Sequence, residues 1–351
     1  MRDTITNTST FIIFMNQIIK DNRGRNHAID LMKFIAAILI TNSHMTSIYP
    51  RQFSQLATGG AIGDSLFFFC SGFCLMMGSD TDFFNWYKRR INRIFPTVFA
   101  VALIGIVFLS RNPTLKDVII KGGGWFVQAI FLFYAIFWFV KRYLPDKLWI
   151  AIVLDTIIIS VWFIYYWDKN MFILVNGTYL RWPCYFMSML IGAVVCIHNK
   201  KILSSEVLRK EKSGWFWTAL LIVFLLFYYG YQLLWRPLPI LKDVQIVIIP
   251  ALLGITYCFY EICSNTKLLI LYRRKNIYLW VYGISACCLE IYLSHRMSFG
   301  VGKELINYFP LNIIITFMLI FAIAYLVKVF SNFLSQTFKT ERYDWKGMVK
   351  L

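Results

Sequence analysis

The sequence predicts an all-α membrane protein, a bundle of about ten transmembrane helices with both termini in the cytoplasm. Three observations predict it. Of the 351 residues, 58% are hydrophobic and 18% aromatic, well above the roughly 45–50% apolar content of soluble domains. Apolar segments of roughly 17–25 residues, the length that crosses a bilayer core, recur ten times. The basic residues alternate in density between successive loops, as the positive-inside rule requires.

The first segment, 28–48, has an apolar centre at 34–40 with polar residues on both sides. The second, 59–78, reads GGAIGDSLFFFCSGFCLMMG and is broken by the small pair Ser71-Gly72, which permits close helix approach. The third and fourth, 94–110 and 125–140, are short. The fifth to seventh, 148–167, 179–197 and 214–235, are long and apolar. The eighth, 239–262, is interrupted by Lys242, Asp243, Gln245 and Pro250. The ninth is 277–295 and the tenth 311–330. Residues 1–27 then form a cytoplasmic N-terminal segment, 28–330 the membrane domain and 331–351 a cytoplasmic tail. Residues 10–20 are expected to lie on the membrane surface as an amphipathic helix. No small-residue cleavage site follows Phe11–Met15, so the segment is not expected to be a secretory signal.

With the N-terminus inside, the cytoplasmic segments hold 25 of the 36 Lys and Arg residues and the outer segments 10. Lys33 lies within a span. The net charge of +18 is therefore read as a topology signal in a multi-pass protein of the cytoplasmic membrane, and not as a nucleic-acid site. The eight cysteines fall in or beside apolar runs without paired metal-ligand spacing, which makes them small packing residues. No His-Glu-x-x-His pattern and no Gly-x-Ser-x-Gly elbow is present, so no metal is expected.

Polar residues inside spans are costly and mark function. Lys33 and His44 are eleven residues apart; at ~100° per residue they lie about 20° apart on one helix face and ~16 Å apart along its axis. A blander reading has Asp30 neutralising Lys33 and His44 bonding a neighbouring helix. Asp64 is at the depth of His44 if both spans are upright, where an acid orients an imidazole and stabilises its protonated form. In WYKRRINRIFP, Arg90 and Arg93 project to one side of a helix start and suit phosphate; alternatively they only set topology. Ser71, Trp125, Tyr134, Asp155, Glu290 and His295 are further residues in or near spans. His27 and His198 are expected to be solvated.

Together these pieces resemble the membrane acyltransferase-3 family. The matching parts are Lys33 and His44 with ten positions between them; FFFCSGF closing the second span; Arg90 and Arg93 followed by Pro96; Trp125 with Tyr134; and IYLSH, ending at His295. Their order over 26–296 carries the resemblance. It implies transfer of an acyl group, usually acetyl from acetyl-CoA, to a hydroxyl of a carbohydrate assembled at or beyond the membrane. It makes His44 the central catalytic residue and assigns Lys33, Arg90 and Arg93 to the acyl donor or the pocket. Acyl-CoA is then a co-substrate, with no bound cofactor. Many members carry arginine where this chain has Lys33. The chemistry agrees. A thioester reacts with a hydroxyl without a metal, given a base for the proton and donors for the tetrahedral oxygen.

The reading is thus a membrane O-acetyltransferase acting on a surface polysaccharide or its lipid-linked precursor. His44 is base or transient acyl carrier, Asp64 orients it, and Arg90 and Arg93 hold CoA phosphates. Other surface-polysaccharide assembly proteins are candidate partners. The rivals are an exporter of a polysaccharide or lipid-linked sugar, which consumes no acyl-CoA, and a structural subunit of a polysaccharide synthase, which tolerates loss of His44.

Overall fold

The computed structural model describes residues 25–109, 114, 118, 124–175, 177–204, 213–337 and 344–349. The surface helix expected at 10–20 and part of the tail lie outside them. The described chain is helical and holds no strand. Its main helices are α1 (His27–Ser43), α2 (Gly60–Met77), α3 (Phe83–Leu109), α4 (Trp125–Tyr143), α5 (Leu148–Tyr165), α6 (Arg181–Ser204), α7 (Gly214–Leu234), α8 (Ile248–Cys263), α9 (Lys275–Ala286), α10 (Cys288–Ser294) and α11 (Leu311–Thr337).

Each of the ten apolar segments contains a helix, but the helices differ from the segments at their ends. Among the described residues eight are long and apolar enough to cross a membrane, and a bent pair makes a ninth. That pair is the ninth segment, which breaks after Ala286 with a 57° bend and runs on to Glu304. The first segment ends early. With 17 residues, α1 is about 25 Å long against a core of about 30 Å. The eighth is interrupted where expected. A short helix, Pro239–Asp243, and a 3₁₀ turn, Gln245–Val247, precede α8, and Pro250 falls in its first turn, where a missing N–H is harmless.

The third segment shows the largest difference. Hydropathy places its start at 94, yet α3 begins at Phe83, so Arg90 and Arg93 lie in the helix body and not at its start. The reason is local. Asp82 accepts the backbone N–H of Asn85 at 3.0 Å and caps the helix, and that bond holds its carboxyl below the usual range. Trp86, fully buried, anchors the first turns. The last segment is also longer than its apolar run, with α11 continuing to Thr337.

Lipid explains the outward faces. Only 17% of the apolar window of α7 is buried, and Ile222, Val223, Leu226, Phe227 and Leu233 point outwards. On α5, Trp149, Leu154, Ile157, Ile158 and Ile164 do the same. Exposed apolar surface this continuous is a bilayer face.

The chain divides into two compact units. The first comprises Met1–Ala36, Asp64–Gly78 and Leu144–Tyr282; the second comprises Ala37–Gly63, Ser79–Tyr143 and Gly283–Leu351.

In the first unit α5 packs on α6, and α8 packs on α7 and α6. A close seam joins α2 to α6. A Cβ on Gly72 would overlap the Met189 carbonyl, and one on Gly192 would overlap the Phe69 carbonyl. Two glycines thus let the backbones touch, as the small-residue break in the second segment predicts. Beside them Ser65 bonds Ser188 and Thr256, each at 2.7 Å. Gln245, wholly buried, receives the Ile173 N–H at 2.9 Å and donates to the Lys169 carbonyl at 2.8 Å, fastening the segment after α5.

In the second unit α3 packs on α4, α10 and α11, and α10 packs on α11. Its interior holds a polar knot. Glu290 Oε1 accepts from Lys328 Nζ and Thr97 Oγ1, both at 3.1 Å, and Thr97 bonds Ser331 at 3.0 Å. Lys328, near the end of the tenth segment, is therefore an ion-pair partner of this knot on α11.

Candidate active site

In the second unit, His44 and His295 face each other. Their ring centroids are 4.8 Å apart and the planes are inclined by 25°. Each ring is placed by a defined piece of backbone.

His44 follows the last residue of α1. Its N–H bonds the Thr41 carbonyl at 3.1 Å, Met45 N–H bonds Asn42 O at 3.0 Å, and Ile48 N–H bonds Met45 O at 2.8 Å. The chain after α1 is thus a tight turn and not a continuing helix. The regular 100° advance that set Lys33 and His44 on one face stops at Ser43. Side chains then lock the turn. Asn42 Nδ2 donates to the Leu56 and Thr58 carbonyls at 2.7 and 3.1 Å, and Tyr49 Oη donates to Asn42 Oδ1 at 2.7 Å. Asn312, at the start of α11, donates to the Ile48 carbonyl at 2.8 Å.

His295 opens the 3₁₀ turn His295–Ser298 directly after α10. Its Nδ1 lies 2.7 Å from the Tyr292 carbonyl and 3.3 Å from that of Ile291. Both neighbours are acceptors, so Nδ1 carries the proton and Nε2 is left as the acceptor nitrogen. That Nε2 is buried with no hydrogen-bond partner among the described residues, and His295 is 4% exposed. An unmet buried acceptor costs about 1–3 kcal/mol. Ser298, one 3₁₀ turn on and so on the same face, also has a buried hydroxyl without a partner there. The surround is aromatic: Tyr292 at 6.1 Å and Phe299 at 5.5 Å from the His295 ring. Arg296, exposed, places a positive charge near both imidazoles.

The other expected residues distribute as follows. Trp125 opens α4 beside Phe126, whose ring lies 4.6 Å from Tyr292; this end of α4 borders the histidine pair. Tyr134 lies nine residues further, where its carbonyl receives Trp86 Nε1 at 3.4 Å. Arg90 lies over the Trp86 ring at 4.2 Å, with Lys141 Nζ at 5.5 Å from the same ring and 2.9 Å from Asp80. The two arginines differ: Arg90 is half-buried and held against an indole, whereas Arg93 is exposed. Glu290 belongs to the polar knot described above, although its Oε2 has no partner among the described residues.

In the first unit, Lys33 Nζ approaches Cys74 Sγ at 4.0 Å. Asp30, the neutralising partner in the blander reading of Lys33, is paired with Arg25 at 2.6 Å. Asp64, expected to orient His44, accepts a hydrogen bond from Tyr185 and feels the charge of Arg181, which is buried. Ser71 is half-buried on α2. Asp155 is buried on α5, with Oδ2 lacking a partner among the described residues. His27 corrects an expectation. It is not solvated but 3% exposed, with its ring 5.1 Å from Tyr272 and 6.2 Å from Tyr278. None of the eight cysteines forms a disulfide, and every one but Cys74 is buried.

Sequence reasoning singled out both histidines but not their contact, and it passed over Trp86. The signal for Trp86 was present, since Trp86 and Arg90 stand four apart on one helix face.

A family model for an acyltransferase domain matches residues 26–330. The searches of curated proteins and of solved structures find no match.

Proposed function

The chain belongs to the membrane acyltransferase-3 family, and from that premise we propose that it is an O-acetyltransferase. It takes acetyl from acetyl-CoA and places it on a hydroxyl of a surface polysaccharide or of its lipid-linked precursor, in the cytoplasmic membrane. The observation that supports this reading best is the histidine pair. Two imidazoles stacked at 4.8 Å, one with its acceptor nitrogen open, supply what acyl transfer from a thioester needs: a proton acceptor and a nitrogen nucleophile. His44 is the catalytic base or the transient acyl carrier. The Arg296 charge beside the rings stabilises the oxygen of the tetrahedral intermediate. Arg90, fixed on Trp86, and Arg93 hold the CoA phosphates, and Lys33 serves the donor side.

The test is direct. Membranes containing the protein, given acetyl-labelled acetyl-CoA, are expected to pass label to the host's surface polysaccharide or its lipid-linked precursor. Deleting the gene is expected to remove acetyl groups from that polymer in mass spectra. An exporter would leave acetyl-CoA unconsumed.

The reading also requires the donor site on the cytoplasmic side, where acyl-CoA is made. Residues 79–93 and 331–351 together carry eight Lys and Arg, and both are cytoplasmic in this proposal. Single cysteines placed in either segment of a cysteine-free background are expected to resist an impermeant reagent in intact cells. Labelling of either would reverse the orientation.

A further inference from the structure

We infer that His295 is the proton acceptor of the transfer reaction, which leaves His44 the role of acyl carrier. The inference rests on the acyltransferase reading and divides between two rings the tasks left open for one. Three observations carry it.

The first is orientation. The Tyr292 carbonyl, 2.7 Å from Nδ1, fixes the proton on that nitrogen and aims the lone pair of Nε2. A second-position acceptor behind a catalytic imidazole does the same in the Ser-His-Asp arrangement. The ring of His44 makes no hydrogen bond among the described residues, so nothing there sets its tautomer for proton work. The second is vacancy. His295 is 4% exposed and its Nε2 has no donor among the described residues. A buried acceptor without a donor is rare in folded proteins and asks for a ligand group to complete it. An incoming hydroxyl is such a donor. The third is placement. His44 is half-buried, less enclosed than His295, and lies face to face with it at 4.8 Å. A group bonded to His44 is therefore within reach of a hydroxyl bound at His295.

The steps balance. A nitrogen of neutral His44 attacks the thioester carbonyl, a C–N bond forms, and the C–S bond breaks. The CoA thiolate leaves and takes the proton that the acylated imidazolium loses. The acceptor hydroxyl oxygen then attacks the same carbonyl while its proton passes to His295 Nε2. The C–O bond forms, the C–N bond breaks, and His295 returns the proton to the nitrogen that lost the acyl group. Both rings end neutral, His44 with its proton now on the nitrogen that carried the acyl group, and no further reactant is needed.

The experiment separates the two half-reactions in the full-length membrane protein. One arm measures CoA thiol released from acetyl-CoA in a single turnover without acceptor; the other measures transfer to the polysaccharide acceptor. His295→Gln is expected to keep the CoA burst within about twofold and to lower transfer by about 10²–10⁴-fold. His44→Gln is expected to lose both. In His295→Ala, added imidazole is expected to restore transfer, with a rate that follows the basicity of a series of substituted imidazoles. A structural role would not produce that dependence. Unimpaired transfer in His295→Gln, an equal loss of the burst in both glutamine variants, or rescue indifferent to basicity would overturn the assignment. If the wild type releases no CoA and transfers no acetyl, it is the acyltransferase reading that fails.

Discussion

Acyl transfer by the His44→Gln protein is expected to fall by about 10²–10⁴-fold, with the protein still inserted and folded. The amide keeps a planar, hydrogen-bonding side chain of similar reach, but it neither titrates nor carries an acyl group. The fold has no need of the imidazole. The turn that holds position 44 is built from backbone bonds and from Asn42, Tyr49 and Asn312, none of which involves the ring. His44→Ala removes the stacking partner of His295 as well, and is expected to do at least as much damage. The measurement is the transfer rate per inserted protein, with yield and thermal stability in detergent as the folding control. A Gln variant that acylates at near the wild-type rate would make His44 a packing residue and would favour the structural-subunit reading.

Acyl-CoA affinity is expected to respond to the two arginines unequally. Losing one charge-assisted phosphate contact weakens binding by about 1.5–3 kcal/mol, roughly 10- to 10²-fold in Kd. Arg90 lies over a buried indole at 4.2 Å, which restricts its side chain before the ligand arrives. Arg93 is exposed and must be ordered on binding. Arg90→Ala is therefore expected to show the larger loss and Arg93→Ala the smaller. Lysine is expected to rescue each only in part, because it lacks the planar two-point geometry. Titration of purified variants with acetyl-CoA by calorimetry reads all of this. Unchanged affinity in the double alanine variant would return the arginines to a topology-setting role.

How much of this was legible beforehand depended on the range of the interaction. Apolar runs revealed the helical membrane class, because lipid forces each span to satisfy its own backbone. The small pair at Ser71-Gly72 revealed a close helix contact, since a missing side chain means the same thing whatever the partner. Hydropathy marks what lies in lipid, and not where a helix begins. Asp82 and Trp86 start α3 eleven residues before the apolar run, and the charged stretch between hides it. Contacts between distant segments left no trace. Nothing near His27 announces Tyr272 and Tyr278. Nothing near Lys328 announces Glu290, 38 residues earlier. The stacking of His44 on His295 spans most of the chain, and the sequence offers only that both are histidines near the ends of their segments.

The ion pair of Glu290 and Lys328 bears on how the protein is made. Synthesis delivers α10 before α11, so the carboxylate emerges while its partner is still unmade. A lone charge at the middle of an inserting helix is unfavourable by about 2.5–3.5 kcal/mol on insertion scales. The bend after Ala286 divides that part of the chain into two pieces, Lys275–Ala286 and Cys288–Glu304, about 18 Å and about 25 Å long as helix, each short of a core of about 30 Å. The last two hydrophobic segments are therefore expected to enter the bilayer together, the earlier one held until Lys328 arrives. Residues 275–337 would then be inserted as one step, and His295, directly after α10, would be set in place only when translation is nearly complete.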